Sequence, residues 1–88
     1  MKKIVSVVDV EGEGLDSLLG ENVLLFCMNY IYTGRLLGVN DTFVQLEGAK
    51  IVYETGAFSL SEFKDAQSLP TGIWYVRTAA IESFGLRK

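Results

Sequence analysis

Few residues of this 88-residue chain are of a type that carries out chemistry. Catalysis near neutral pH most often recruits histidine, and the chain has none. Cys27, the single cysteine, lies inside the apolar run 23–28 with no base beside it. It therefore reads as a small core residue rather than a nucleophile, and it has no second cysteine for an internal disulfide. The carboxylates Asp9, Glu11, Glu13 and Asp16 crowd one segment. A solvated acidic lead-in explains them more simply than an acid/base pair or an oxygen-ligand metal site. Gly12 and Gly14 lack the spacing and strand context of a dinucleotide fingerprint, and no phosphate loop occurs. No enzymatic activity, cofactor or metal is expected.

What remains is the chemistry of binding. Asn40, Asp41 and Thr42 stand together in GVNDTFVQL, and Arg77 stands in YVRTAAIESF. A guanidinium serves phosphate contact and base stacking, and Tyr30, Tyr32, Trp74 and Tyr75 offer flat surfaces for bases. Each has a structural reading as well. Asn40 and Asp41 stabilise tight turns, aromatics on alternating strand positions belong to a core or interface, and Arg77 has Asp41 or Glu82 of its own or an adjacent subunit as a salt-bridge partner. Arg35 reads as a solvated strand residue. A net charge of −3 and a pI near 4.8 argue against tight, sequence-independent binding to a phosphate backbone.

These residues need elements to position them. Residues 1–88 form one domain, since halves of this length would bury no useful core. Apolar residues make up 49% of the chain and the mean hydropathy is +0.26, a surplus for so small a surface-rich domain that points to a subunit interface. MKKIVSVVDV opens with two lysines, but its apolar run stops at Asp9 without a cleavage site, so a short first strand is expected there rather than a signal peptide. No segment approaches the roughly 20 apolar residues of a membrane span, and a soluble, cytoplasmic protein is expected.

Leu15, Leu18 and Leu19 lie at helical spacing within 11–21, which predicts one or two helical turns. From Asn22 the chain is β-rich: two strands broken near Asn29 and Tyr30, a third from Thr42 to Tyr53 kinked at Gly48, and a final pair in GIWYVRT and AAIESFGL. Between them, ETGAFSLSEFKDAQSLPTG predicts a long loop with a helical turn over 61–66. The run 23–28 is apolar at every position, so both faces of its strand must be covered. A small, nearly closed barrel does this, with the helix or a neighbouring subunit on the outer face and Gly34 at a sharp bend or bulge.

This order of helix, bent antiparallel strands, long loop and short final pair resembles the Sm and Sm-like family, which includes the bacterial RNA-chaperone branch. The first motif of that family is matched in LLGENVLLFCMNYIYTGRLLGVNDTFVQLEGA by Leu19, Gly20, Val23, Leu25, Gly34, Leu36, Val39, Asn40 or Asp41, Leu46 and Glu47. The second is matched in YVRTAAIESF by Val76, Arg77, Thr78 and Ile81. The resemblance covers residues 14–84. It implies a mostly β fold, a small, strongly bent, five-stranded open β-barrel with a short N-terminal helix. It also implies a homo-oligomeric ring of roughly five to eight subunits that pairs edge strand to edge strand.

Uridine-binding members stack a base between a loop aromatic or histidine and the arginine of the second motif, and read its edge with an asparagine after a methionine. Aligned from Gly34, those positions hold Thr42, Phe43 and Val44, and Thr78 replaces the glycine after Arg77. The resemblance thus implies weak single-stranded RNA binding at Asn40, Asp41, Thr42 and Arg77. The alternative is a structural ring that has abandoned RNA and holds a protein partner through its 55–71 loop or acidic N-terminus.

Overall fold

The computed structural model describes residues 14–87. The first strand expected in MKKIVSVVDV and the carboxylates Asp9, Glu11 and Glu13 lie outside them. The predicted helix is one 3-10 turn, Leu15–Leu18, started by Ser17, whose N–H and Oγ both donate to Gly14 O at 3.2 and 2.6 Å. Leu15 and Leu18 pack on the core, whereas Leu19 is half exposed.

Six strands follow: β1 (Asn22–Cys27), β2 (Ile31–Val39), β3 (Phe43–Glu54), β4 (Asp65–Ser68), β5 (Ile73–Arg77) and β6 (Ile81–Leu86). All pair antiparallel in the order β4-β3-β2-β1-β6, with β5 also on β3. A second 3-10 turn, Thr78–Ala80, joins β5 to β6. The result is a mostly β, strongly bent, open barrel.

Two glycines make the bend. Gly34 is buried where the β2–β3 register shifts, and a Cβ there would meet Glu47 O at 3.0 Å, Leu46 Cβ at 3.1 Å and Ala49 Cα at 3.2 Å. Only a residue without a side chain lets the two backbones approach so closely. Gly48, facing this crossing from β3, has φ 62°, a left-handed conformation suited to glycine. At that bend β3 exchanges partners, pairing with β5 before it and β4 after it.

Ala49 ties the two partners together: its N–H donates to Gly72 O at 3.2 Å and its carbonyl accepts from Leu69 N–H at 2.9 Å. Pro70 and Thr71 bulge out between these bonds, Thr71 with φ 63°. β4 and β5 are therefore two halves of one bulged strand, which reconciles six segments with the five expected. The loop expected over 55–71 shortens to 55–64, and the helical turn expected over 61–66 is absent because β4 already begins at Asp65. There the pairing Val52↔Ala66 outweighs local helix propensity.

Val23, Leu25, Leu36, Val44, Leu46, Ala49 and Val76 form the core. Each buried aliphatic side chain of this kind contributes about 1.5–3 kcal/mol relative to leaving it exposed. Thr33 is buried among them because its Oγ1 donates to Val23 O at 2.8 Å. Both faces of β1 are covered, as its sequence requires, but the cover on the outer side differs from expectation. Leu24 and Phe26 face away from Val23 and Leu25, and the 55–64 segment folds over that side with the Phe58 ring 6.3 Å from that of Phe26.

The barrel remains open between β6 and the β4/β5 strand. Directly paired residues of an antiparallel sheet share a face, so Leu86 opposite Val23 and Phe84 opposite Leu25 point to the core side. They are nevertheless 59% and 43% exposed. Among the described residues, no helix is long and apolar enough to cross a membrane.

Candidate functional site

The β2–β3 turn and the β5–β6 connection meet at one corner, which gathers all four residues singled out from the sequence. Asn40 builds the turn: its Oδ1 accepts from the N–H groups of Thr42 and Phe43 at 2.8 and 2.9 Å, and its own N–H donates to Phe43 O at 3.0 Å. This Asx-type closure consumes the acceptor side of the amide. Thr78 then laces the two loops together. Its N–H donates to Thr42 O at 2.9 Å and its Oγ1 to Asp41 O at 2.7 Å. The hydroxyl that stands in place of a glycine thus fastens the corner.

Arg77 is exposed, directly across from Phe43 in the β3–β5 register. Within the chain Arg77 pairs with neither Asp41 nor Glu82: the ion pairs among the described residues are Arg35–Glu47 and Lys64–Glu54. Both expected partners are exposed, where water competes with an ion pair and little is gained by fixing two side chains. Arg35 is more engaged than a solvated strand residue, since its Nη1 reaches Glu47 Oε1 at 3.2 Å and its Nε donates to Gly20 O at 3.1 Å.

Two aromatic residues border this corner: Tyr75, which the sequence already offered as a flat surface, and Phe43, which it did not single out as one. Phe43 and Tyr75 are exposed on the outer face, their rings 5.7 Å apart at 66°, and Gln45 Nε2 donates to the Tyr75 hydroxyl at 3.2 Å. Strand alternation carried the signal: Val44 and Leu46 are apolar enough to claim the core, which turns Phe43 and Gln45 outward. An arginine, two aromatic rings and an amide on adjacent strands can stack flat groups and donate hydrogen bonds.

The other aromatics divide. Trp74 and Tyr32 pack against the core, while Tyr30 stays half exposed with its ring 6.4 Å from that of Tyr32. Burial, and then the negative charge of Glu82, push the Cys27 thiol up, away from the reactive thiolate. Among the described residues no group of three or more His, Cys, Asp or Glu side chains could hold a metal ion.

No family model matches the chain, and no curated protein matches it. Among solved structures, a chain in the crystal structure of the NatC complex bound to CoA is similar to it, with a TM-score of 0.61 and 13% identity. The likeness covers 92% of this chain and 91% of that one. At such identity it shows a shared fold.

Proposed function

We propose that this chain is a non-enzymatic, Sm-like assembly module whose copies join edge to edge into a homo-oligomeric ring of roughly five to eight subunits. The observation that carries the reading is the uncovered inner face of β6. Leu86 and Phe84 continue the apolar lining of the barrel past its last strand. Leaving them to water costs free energy that a neighbouring edge strand would recover while satisfying unpaired backbone groups. The β4/β5 strand supplies the complementary edge. That the structural neighbour is part of a multi-protein complex accords with an assembling fold. Light scattering at micromolar concentration tests the proposal, with a multiple of the 9.7-kDa chain mass expected; a plain monomer overturns it.

Within that ring the laced corner is the ligand surface, and single-stranded RNA is held weakly by Arg77 with Asn40, Asp41 and Thr42. Phe43 now supplies the stacking ring that Thr42 lacks. Oligo(U) or oligo(A) should bind at low salt, and Arg77→Ala should weaken that binding. Two observations favour the second reading, a protein-interaction ring without RNA: Asn40 Oδ1 is spent on its own turn, and the chain carries a net charge of −3. Absence of binding by both homopolymers would select it.

A further inference from the structure

The 55–64 segment does not lie flat on β1. Between them is a groove of 190 Å³, walled by Leu24 of β1, by Phe58, Leu60 and Phe63 of the segment, and by Leu86 at the end of β6. For comparison, an engineered apolar cavity of about 150 Å³ accepts a benzene molecule. The space therefore suits one ring or a chain of about six carbons, and is small for a peptide backbone with its side chains.

The groove has a cation at its rim. The Arg87 guanidinium carbon lies 4.6 Å from the centroid of the Phe63 ring. A guanidinium attracted to a ring face engages it through its charge and keeps N–H donors for an acceptor. Among the described residues no carboxylate lies within 4.0 Å of it. Glu62 also lines the groove and is exposed; its charge opposes any negative group on an occupant, so only one carried on Arg87 is offset. Apolar walls of this size, a guanidinium without an ion pair among the described residues, and one carboxylate define the occupant's chemistry.

We propose that this groove binds a small amphipathic monocarboxylate, its apolar part against Leu24, Phe58 and Phe63 and its carboxylate on Arg87. The site lies away from the Arg77 corner and does not rest on ring formation.

The test is an amide-shift titration of the full chain with hexanoate, hexanol, hexylamine and adipate, on whichever oligomer light scattering finds. Hexanoate should shift residues 24, 58–63, 86 and 87, with hexanol bound several-fold more weakly and hexylamine and adipate at least tenfold more weakly. Arg87→Gln should bring hexanoate to the level of hexanol while leaving hexanol unchanged. Leu60→Ala, at a side chain already 58% exposed, should weaken both without unfolding the protein. Equal binding of hexanoate and hexylamine, shifts confined to other residues, or an unchanged hexanoate affinity in Arg87→Gln would each overturn the proposal. Tighter binding of an acetylated Gly-Gly-Leu acid than of hexanoate would also overturn it, by assigning the groove to a protein C-terminus.

Discussion

The corner at residues 40–43 and 77–78 and the segment 55–64 are both connections, yet they are fastened by opposite means. Polar groups close the corner: Asn40 and Thr78 together make five hydrogen bonds of 2.7–3.0 Å across it. Phe58 against Phe26, the apolar groove walls and the Arg87–Phe63 cation–π contact hold the segment, with backbone bonds from Leu60 N–H to Ala57 O and from Lys64 N–H to Thr55 O within it. A connection that satisfies its own polar groups leaves side chains such as Arg77 and Phe43 exposed on its surface. One held by a few large side chains leaves space beneath it. Two kinds of surface thus arise on one small barrel, both resting on the bend between β2 and β3.

That shared dependence gives the largest predicted effect. Gly34→Ala places a methyl group 3.0–3.2 Å from Glu47 O, Leu46 Cβ and Ala49 Cα, two of them backbone atoms that cannot swing aside. The expected cost is about 2 kcal/mol, within the usual range for overpacking a tight interior. It should show as a lower denaturant midpoint with faster amide exchange in both regions at once. Faster exchange in only one region would mean that the two connections do not rest on a common bend.

The two regions also differed in how far the sequence foretold them. Glycines at 34 and 48, the break near Asn29 and the uninterrupted apolar run 23–28 fixed the strands and the bend, because each reflects a local steric or burial demand. The corner was legible as a place: Asn40, Asp41, Thr42 and Arg77 do meet there. Its chemistry was less so, since the bond from Thr78 to Asp41 O joins residues 37 positions apart and has no local signature. The 55–64 segment was the least legible. Its polar composition reads as solvated loop, whereas Phe58, Leu60 and Phe63, spaced irregularly among serines and charges, acquire meaning only against the outer face of β1. β4 was hidden for a similar reason: four residues of DAQS carry no β pattern without β3 beside them.

A pair of substitutions separates the two kinds of fastening. Asn40→Ala removes the acceptor for two N–H groups, which then turn to water; about 1 kcal/mol of stability should be lost, with faster exchange at Thr42 and Phe43. Asn40→Asp should restore most of it by keeping the oxygen. Phe58→Ala removes an edge-on ring pair and part of the groove wall, at a cost of about 0.5–1.5 kcal/mol, and should speed exchange over 55–64 alone. With no shared partners, the double mutant should equal the sum of the single costs within about 0.5 kcal/mol. A larger coupling would join the two regions into one cooperative unit.

The smallest effect tests whether the 55–64 segment is held by apolar contact or by charge. Lys64 Nζ lies 3.4 Å from Glu54 Oε1, an ion pair that brackets the segment where it rejoins the sheet. Both side chains are more than half exposed, so the Coulomb attraction is screened and partly offset by the entropy of fixing two long side chains. Lys64→Ala should therefore change stability by no more than about 0.5 kcal/mol and leave the melting curve nearly insensitive to added salt. Because the groove walls are untouched, hexanoate should bind this variant as it binds the parent chain. A loss exceeding that of Phe58→Ala, removed by salt, would assign the segment's attachment to charge, and the contrast with the corner would become one between two polar fastenings.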